Sequence, residues 1–158
     1  MARINLPGVA EVWWATTLTL AAPTATQCNN ATDFTSWVRG IPSIPETGNM
    51  ADTSDLSSKF NKRIPASYGG DTLTIEFWSD DLTDTAYTTL ARGSVGYWIV
   101  AFQGLATAST FAINDEVWAY SCTLITRGMG TPGRDEALWF TSEAAITEVP
   151  TERFTIVA

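Results

Sequence analysis

The residue types that usually carry out catalysis are sparse in this chain of 158 residues. It contains no histidine, which excludes Ser-His-Asp and Cys-His nucleophiles and every His-ligated zinc site. Its two cysteines, Cys28 and Cys122, are too few for a four-cysteine metal site. A Ser-Lys pair would have to use Lys59 or Lys62, the only lysines, and both lie in a polar stretch. We therefore predict that the protein is not an enzyme and needs no cofactor.

One glycine motif has the spacing of a dinucleotide-binding loop. Gly128, Gly130 and Gly133 spell G-x-G-x-x-G. That fingerprint requires a helix to begin at the motif. Here Pro132 lies inside it, and residues 134–141 return toward a strand pattern. We interpret the motif as a hairpin turn.

A group of carboxylates offers the oxygen ligands that Ca²⁺ prefers. Asp80, Asp81 and Asp84 are close in sequence but lack the spacing of an EF-hand loop. The same residues, with Ser79, are suited to the first turn of a helix, where they cap the chain and complement the helix dipole. A helical stripe follows at Leu82, Ala86 and Leu90. Paired carboxylates of a glycosidase stay open as an alternative, because their separation depends on the fold.

Seven tryptophans could line a sugar-binding surface. Most of them fall within predicted strands, where aromatic residues are ordinary core or interface residues. We expect Trp78 and one of the adjacent Trp13 and Trp14 to face away from the main core. Exposed aromatic surface marks contact sites. A carbohydrate-binding β-sandwich module therefore stays open beside contacts between subunits.

Alternating apolar residues predict the strands that must position these side chains. The clearest alternation spans residues 71–79, where Leu73, Ile75 and Phe77 point one way and Thr72, Thr74 and Glu76 point the other. Further strands are predicted at 12–20, 32–38, 116–127, 137–141 and 153–158. The nearly continuous apolar run at 95–103 predicts a strand that is covered on both faces. The pattern indicates a single mainly-β domain over residues 1–158. We expect an antiparallel β-sandwich or barrel-like body with one flanking α-helix and a long projecting loop.

The net charge of −8 and the pI of about 4.3 bear on possible partners. Nucleic-acid binding usually needs a basic face, which this chain cannot easily build. An acidic surface repels phosphate, although acidity is also common in ordinary soluble proteins. Residues 1–22 lack the apolar core of a signal peptide, and no run of about 18 apolar residues predicts a membrane span. We expect free thiols in a reducing cytoplasm.

The segment from Arg39 to Asp71 has neither a helical stripe nor sustained strand alternation, and prolines and glycines interrupt it. Loops this long are usually functional or disordered. Its first half is acidic and its second half basic. We expect a projecting arm that contacts other subunits, such that deleting Thr47–Lys59 leaves a folded body that cannot polymerise. The candidate contact residues are Glu46, Asp52, Asp55, Lys59, Phe60, Lys62, Arg63 and Ile64.

The layout resembles the major tail tube protein of tailed phages with long, non-contractile tails. The resemblance rests on an N-terminal strand, the arm ending in KFNKRIPA (59–66), the strand DTLTIEF (71–77), the helix DDLTDTAYTTL (80–90) and the paired strands that follow. It covers most of the chain. It implies a structural protein of the virion tail, assembled in the host cytoplasm, whose hexameric rings stack into a tube that conducts the genome during ejection.

The resemblance also implies partners and a lumen-facing surface. Copies of the chain would contact one another, and the tape measure protein, the tail terminator and tail-tip proteins would contact the tube. DNA would pass through the lumen without specific binding. We expect Thr72, Thr74 and Glu76 to project into that lumen while Leu73, Ile75 and Phe77 pack inward.

Overall fold

The computed structural model describes residues 10–43, 46–52, 63–70, 72–79 and 84–157, and of residues 42–43, 46–52 and 63–70 it describes the backbone alone. Two short helices, α1 (Ala25–Asn29) and α2 (Thr85–Thr89), and a 3₁₀ turn at Thr35–Trp37 occur in these ranges. The strands there are β1 (Glu11–Ala15), β2 (Thr32–Asp33), β3 (Val38–Ser43), β4 (Glu46–Asp52), β5 (Arg63–Gly70), β6 (Thr72–Trp78), β7 (Val95–Ala101), β8 (Glu116–Met129), β9 (Trp139–Ile146) and β10 (Thr151–Thr155). Neither helix is long and apolar enough to cross a membrane.

Eight of the strands form one antiparallel sheet in the order β2-β1-β7-β8-β9-β6-β3, with β10 also paired to β8. Strands β4 and β5 form a separate two-stranded sheet. Within the described residues no ladder joins β2 to β3, so the main sheet is open rather than a closed barrel. The mainly-β, sandwich-like fold predicted from the sequence is confirmed.

The sheet curls around a first core, which we call core 1. Phe77 on β6 stacks on Trp98 of β7 with ring centroids 5.9 Å apart, although β8 and β9 separate these strands in the sheet order. Phe34, which follows β2, meets Phe77 at 6.0 Å. Ala86 and Leu90, at α2, are buried in the same cluster. Opposite ends of the sheet therefore share one core, which accounts for the sandwich-like shape.

A second core, core 2, covers the other face of β1, β7 and β8. Trp13, Ile99 and Val117 are buried there, and Cys28 from α1 and Phe111 pack over them. Because the strands are covered on both faces, β7 is apolar almost throughout, as its sequence predicted. Trp13 faces away from core 1, as expected of one of the adjacent pair, but core 2 buries it.

Both cysteines are free and buried, Cys28 in core 2 and Cys122 in core 1. Burial raises the pKa of Cys28 to about 11 and that of Cys122 to about 12, where a backbone hydrogen bond involving Trp98 opposes the rise. Both thiols are therefore protonated at neutral pH, which makes them poor nucleophiles.

Two predictions about local structure were wrong. The described residues contain two helices rather than one. Thr24 begins α1 with a capping box in which its hydroxyl accepts from Gln27 N and the Gln27 amide oxygen accepts from Thr24 N. The strand predicted at 32–38 stops at Asp33. The Asp33 carboxylate accepts a hydrogen bond from Thr35 N at 2.8 Å, and such a side-chain turn competes with strand pairing.

The arm was predicted as a loop without strands, and the structure corrects this. The segment contains β3, β4 and β5, and β4 pairs with β5 from Glu46↔Gly70 to Asp52↔Arg63. We call β4 and β5 the arm hairpin. Its strands were missed because they contain Gly48, Pro65, Gly69 and Gly70, which are depleted in strands, and their apolar residues do not alternate. Asp55, Lys59, Phe60 and Lys62 lie outside the described residues.

Candidate functional site: the exposed polar side of strands β6 and β9

The side of β6 and β9 that faces away from core 1 carries mostly polar residues, and we call it the polar face. Each residue of β6 on this side lies opposite one of β9, and the two strands keep an unbroken antiparallel register. The facing pairs are Thr72 and Ala145, Thr74 and Glu143, Glu76 and Thr141, and Trp78 and Trp139.

Strict alternation on β6 produces this face. Leu73, Ile75 and Phe77 are fully buried, whereas the residues between them keep partial exposure. Because successive side chains in a strand point to opposite sides, burying one set presents the other. The predicted inward packing of the three apolar residues is confirmed. Thr72, Thr74 and Glu76 share the opposite side, and their position in a lumen stays a prediction.

An arginine crosses one end of the polar face. The Arg39 guanidinium lies 2.8 Å from a Glu76 carboxylate oxygen and 3.0 Å from one of Glu136, which belongs to the β8–β9 connection. It also lies over two indole rings, 5.2 Å from the centroid of Trp78 and 4.5 Å from that of Trp139. We call this group the Arg39 cluster. Nothing in the sequence spacing signalled it, since Glu136 is 97 residues from Arg39.

The polar face is acidic. Glu76, Glu136 and Glu143 bring three carboxylates to it, and Arg39 can neutralise only one of them. Glu143 accepts a hydrogen bond from the Thr126 hydroxyl at 3.3 Å, a neutral donor. An excess of carboxylates disfavours phosphate at this surface.

The two exposed-side tryptophans do not form an open platform for a sugar. Trp78 and Trp139 lie on the polar face, but the Arg39 guanidinium already lies over both rings. Of the others, Trp13, Trp14 and Trp98 are buried and Trp37 and Trp118 pack against core 1. This arrangement disfavours the carbohydrate-binding alternative.

The motifs weighed for chemistry have structural roles. Gly128 lies in β8 and Gly130 and Gly133 in the connection to β9, an antiparallel hairpin, so the hairpin interpretation of G-x-G-x-x-G is confirmed. Asp84 is the N-cap residue of α2, but its side chain makes no capping hydrogen bond, contrary to the prediction, and instead accepts from the Ser79 hydroxyl at 2.9 Å. Asp80 and Asp81 lie outside the described residues. In the described part of the chain no three His, Cys, Asp or Glu side chains are grouped to hold a metal ion.

Of the eight residues predicted for the arm, four lie in the two strands of the arm hairpin and four lie outside the described residues. Glu46 and Asp52 belong to β4, and Arg63 and Ile64 to β5. The register places Asp52 opposite Arg63 and Ala51 opposite Ile64. The ends of the acidic and basic halves therefore face each other within one hairpin.

Comparisons with known proteins agree with this architecture. A family model described as phage tail tube protein matches residues 1–158. Among solved structures, a chain from "Cryo-EM structure of the anti-feeding prophage (AFP) baseplate, 6-fold symmetrised" aligns with a TM-score of 0.60 at 14% identity, covering 94% of this chain and 95% of that chain. At this identity the likeness shows a shared fold. A search of curated proteins finds no matching sequence.

Proposed function

Because the chain belongs to the phage tail tube protein family and is a structural component of the virion tail, we propose that its copies form hexameric rings that stack into the tube of a long, non-contractile tail. The genome passes through this tube during ejection. The observation that carries the proposal is the family match across the whole chain. The sixfold ring is supported by the similar chain, which belongs to a baseplate structure described as 6-fold symmetrised.

The polar face is the surface best suited to line the lumen. It holds an excess of carboxylates over cations, and a duplex that moves along such a wall gains no counterion release by binding to it. Thr72, Thr74 and Glu76 are its β6 members. The threonines add hydroxyls without charge, so the wall is wettable but offers DNA no cationic contact there.

The arm hairpin is the element best suited to join one subunit to the next ring. Its strands form a sheet separate from the main one, so the hairpin is free of the ladder that builds the body. Head-to-tail stacking of identical rings is a heterologous contact, which leaves an open, extendable filament. The residues that would make this contact are Glu46, Asp52, Asp55, Lys59, Phe60, Lys62, Arg63 and Ile64.

The tube requires partners at its ends and in its lumen during assembly. We propose that these partners are the tape measure protein, the tail terminator and tail-tip proteins, and that they bind the tube during assembly in the host cytoplasm.

Electron microscopy of the purified protein tests the proposal. At high protein concentration we expect rings and tubes in negative stain, and cryo-EM reconstruction should place Glu76 on the inner wall. A protein that stays monomeric under all assembly conditions contradicts the tube, and a reconstruction with Glu76 on the outer wall contradicts the assignment of the polar face.

A further inference from the structure

The strand that leads into the arm hairpin, β3, packs Val38 and Ile41 against core 1 but has an irregular ladder to β6. Strand β3 pairs with β6 at only three positions, Val38↔Phe77, Gly40↔Glu76 and Ser43↔Thr74, and the register shifts on both sides of Gly40. Irregularities of this kind interrupt the main-chain ladder and bend the strand. On the other side of the hairpin, β6 keeps seven consecutive pairs with β9. The hairpin is therefore joined at one end to β6, which has a regular ladder, and at the other end to β3, which has an irregular one.

Arg39 lies in β3, between Val38 and Gly40, the first two residues of β3 that pair with β6. Its guanidinium reaches Glu76 on β6, Glu136 in the β8–β9 connection, and the rings of Trp78 and Trp139. One side chain of the edge strand thus contacts the neighbouring strand β6, the next strand β9 and the β8–β9 connection. These contacts link β3, β6 and β9 at the place where the ladder between β3 and β6 is irregular.

The chemistry of these contacts favours a fixed geometry. A guanidinium is planar and presents its donors as a rigid fork, and it stacks on aromatic faces, so it restrains direction more than a lysine ammonium does. Each surface ion pair alone contributes little. The four partners come from three elements, however, namely β6, β9 and the β8–β9 connection, so together they restrain the placement of β3.

We propose that Arg39 is a positioning residue, which fixes the direction in which the arm hairpin leaves the body and thereby sets the efficiency of tube assembly. The inference rests on the proposed function, since only an assembling protein needs the hairpin aimed at a neighbour. Because every subunit of a tube must aim its hairpin correctly, a small loss of order at β3 is repeated at every contact.

Two substitutions and a matched control test the proposal. Arg39→Ala removes all four contacts, whereas Arg39→Lys keeps the charge but loses the fork. Arg153→Ala is the control, since it removes another surface ion pair, Arg153–Glu116 at 2.9 Å, which joins β10 to β8 away from β3. Sedimentation should show the critical concentration for tube formation raised at least about tenfold by Arg39→Ala, raised less by Arg39→Lys, and little changed by Arg153→Ala.

A second measurement does not depend on tubes. In unassembled protein, amide hydrogen exchange of residues 38–43 should become faster in Arg39→Ala while exchange in β7 and β8 is unchanged. Wild-type critical concentration in Arg39→Ala, or unchanged exchange in β3, overturns the proposal. If the wild-type protein forms no tubes, the proposed function fails, and the exchange experiment still decides whether Arg39 orders β3.

Discussion

Gly130 permits the close packing that holds the Trp139 ring in the Arg39 cluster. A Cβ atom at Gly130 would lie 2.2 Å from Trp139 Cε2, so the ring occupies the space that any side chain would need. Gly130 N also donates to the Trp139 carbonyl at 2.8 Å. Among the described residues the buried Trp139 Nε1–H has no acceptor, and the indole packs between Gly130 and the Arg39 guanidinium.

We predict that Gly130→Ala destabilises the protein by about 1–3 kcal/mol, the usual cost of forcing an extra methyl group into a packed site. Gly128→Ala is the matched control, since a Cβ there meets nothing within 4 Å. Its effect should stay within about 0.5 kcal/mol. Chemical denaturation of both variants measures the free energies of unfolding. Equal stability of the two variants would show that Trp139 moves aside at no cost.

At the level of secondary structure, the pattern of apolar residues predicted strands β6, β7 and β8, because each of them has a buried face. The inward-facing residues of β6, Leu73, Ile75 and Phe77, were named correctly. Helix α1 was missed because five residues carry no helical stripe, although the T-x-x-Q pattern of Thr24 and Gln27 was a visible signal.

The arm hairpin and the Arg39 cluster had no comparable signal in the sequence. Strands β4 and β5 contain Gly48, Pro65, Gly69 and Gly70, residues that are depleted in strands, so their sequence carried no strand signal. The Arg39 cluster depends on the register among β3, β6 and β9, which brings together residues 37 and 97 positions apart. Such long-range geometry follows from the fold and leaves no local spacing to recognise.

Removing the whole arm hairpin should separate folding from assembly. Since Glu46 lies opposite Gly70, replacing residues 47–69 by Asn-Gly closes the chain with a two-residue turn. This design improves on deleting Thr47–Lys59, which would remove most of β4 and leave β5 without its partner. We expect wild-type near-UV circular dichroism and cooperative thermal unfolding, and no tubes in negative stain. Tubes of normal length from this variant would show that the hairpin is not the link between rings.

Across the whole molecule, one side of the main sheet is divided into a covered half and an exposed half. On this side of β8, Val117 and Ala119 are buried in core 2, whereas Thr123 and Thr126 are accessible. Strand β10 pairs with this stretch of β8, between Glu116 and Ala119, and Cys28 of α1 and Phe111 pack over the same side. Beyond that point the same side continues into the polar face. One sheet thus supplies both a buried support and an adjoining acidic surface, as the proposed role in a ring around a channel would require.

The charge of this wall should decide whether DNA passes without binding. Glu143→Lys changes the polar face by two charges per subunit, repeated around every ring, and removes only the hydrogen bond from Thr126. Glu148→Lys makes the same change at an exposed position after β9. We expect both variants to form tubes, and cryo-EM of tubes mixed with duplex DNA to show lumen density only for Glu143→Lys. Because phosphate contacts displace counterions, that density should decrease steeply between about 50 and 200 mM salt. Lumen density of equal strength in both variants, or in neither, would mean that Glu143 does not border the channel.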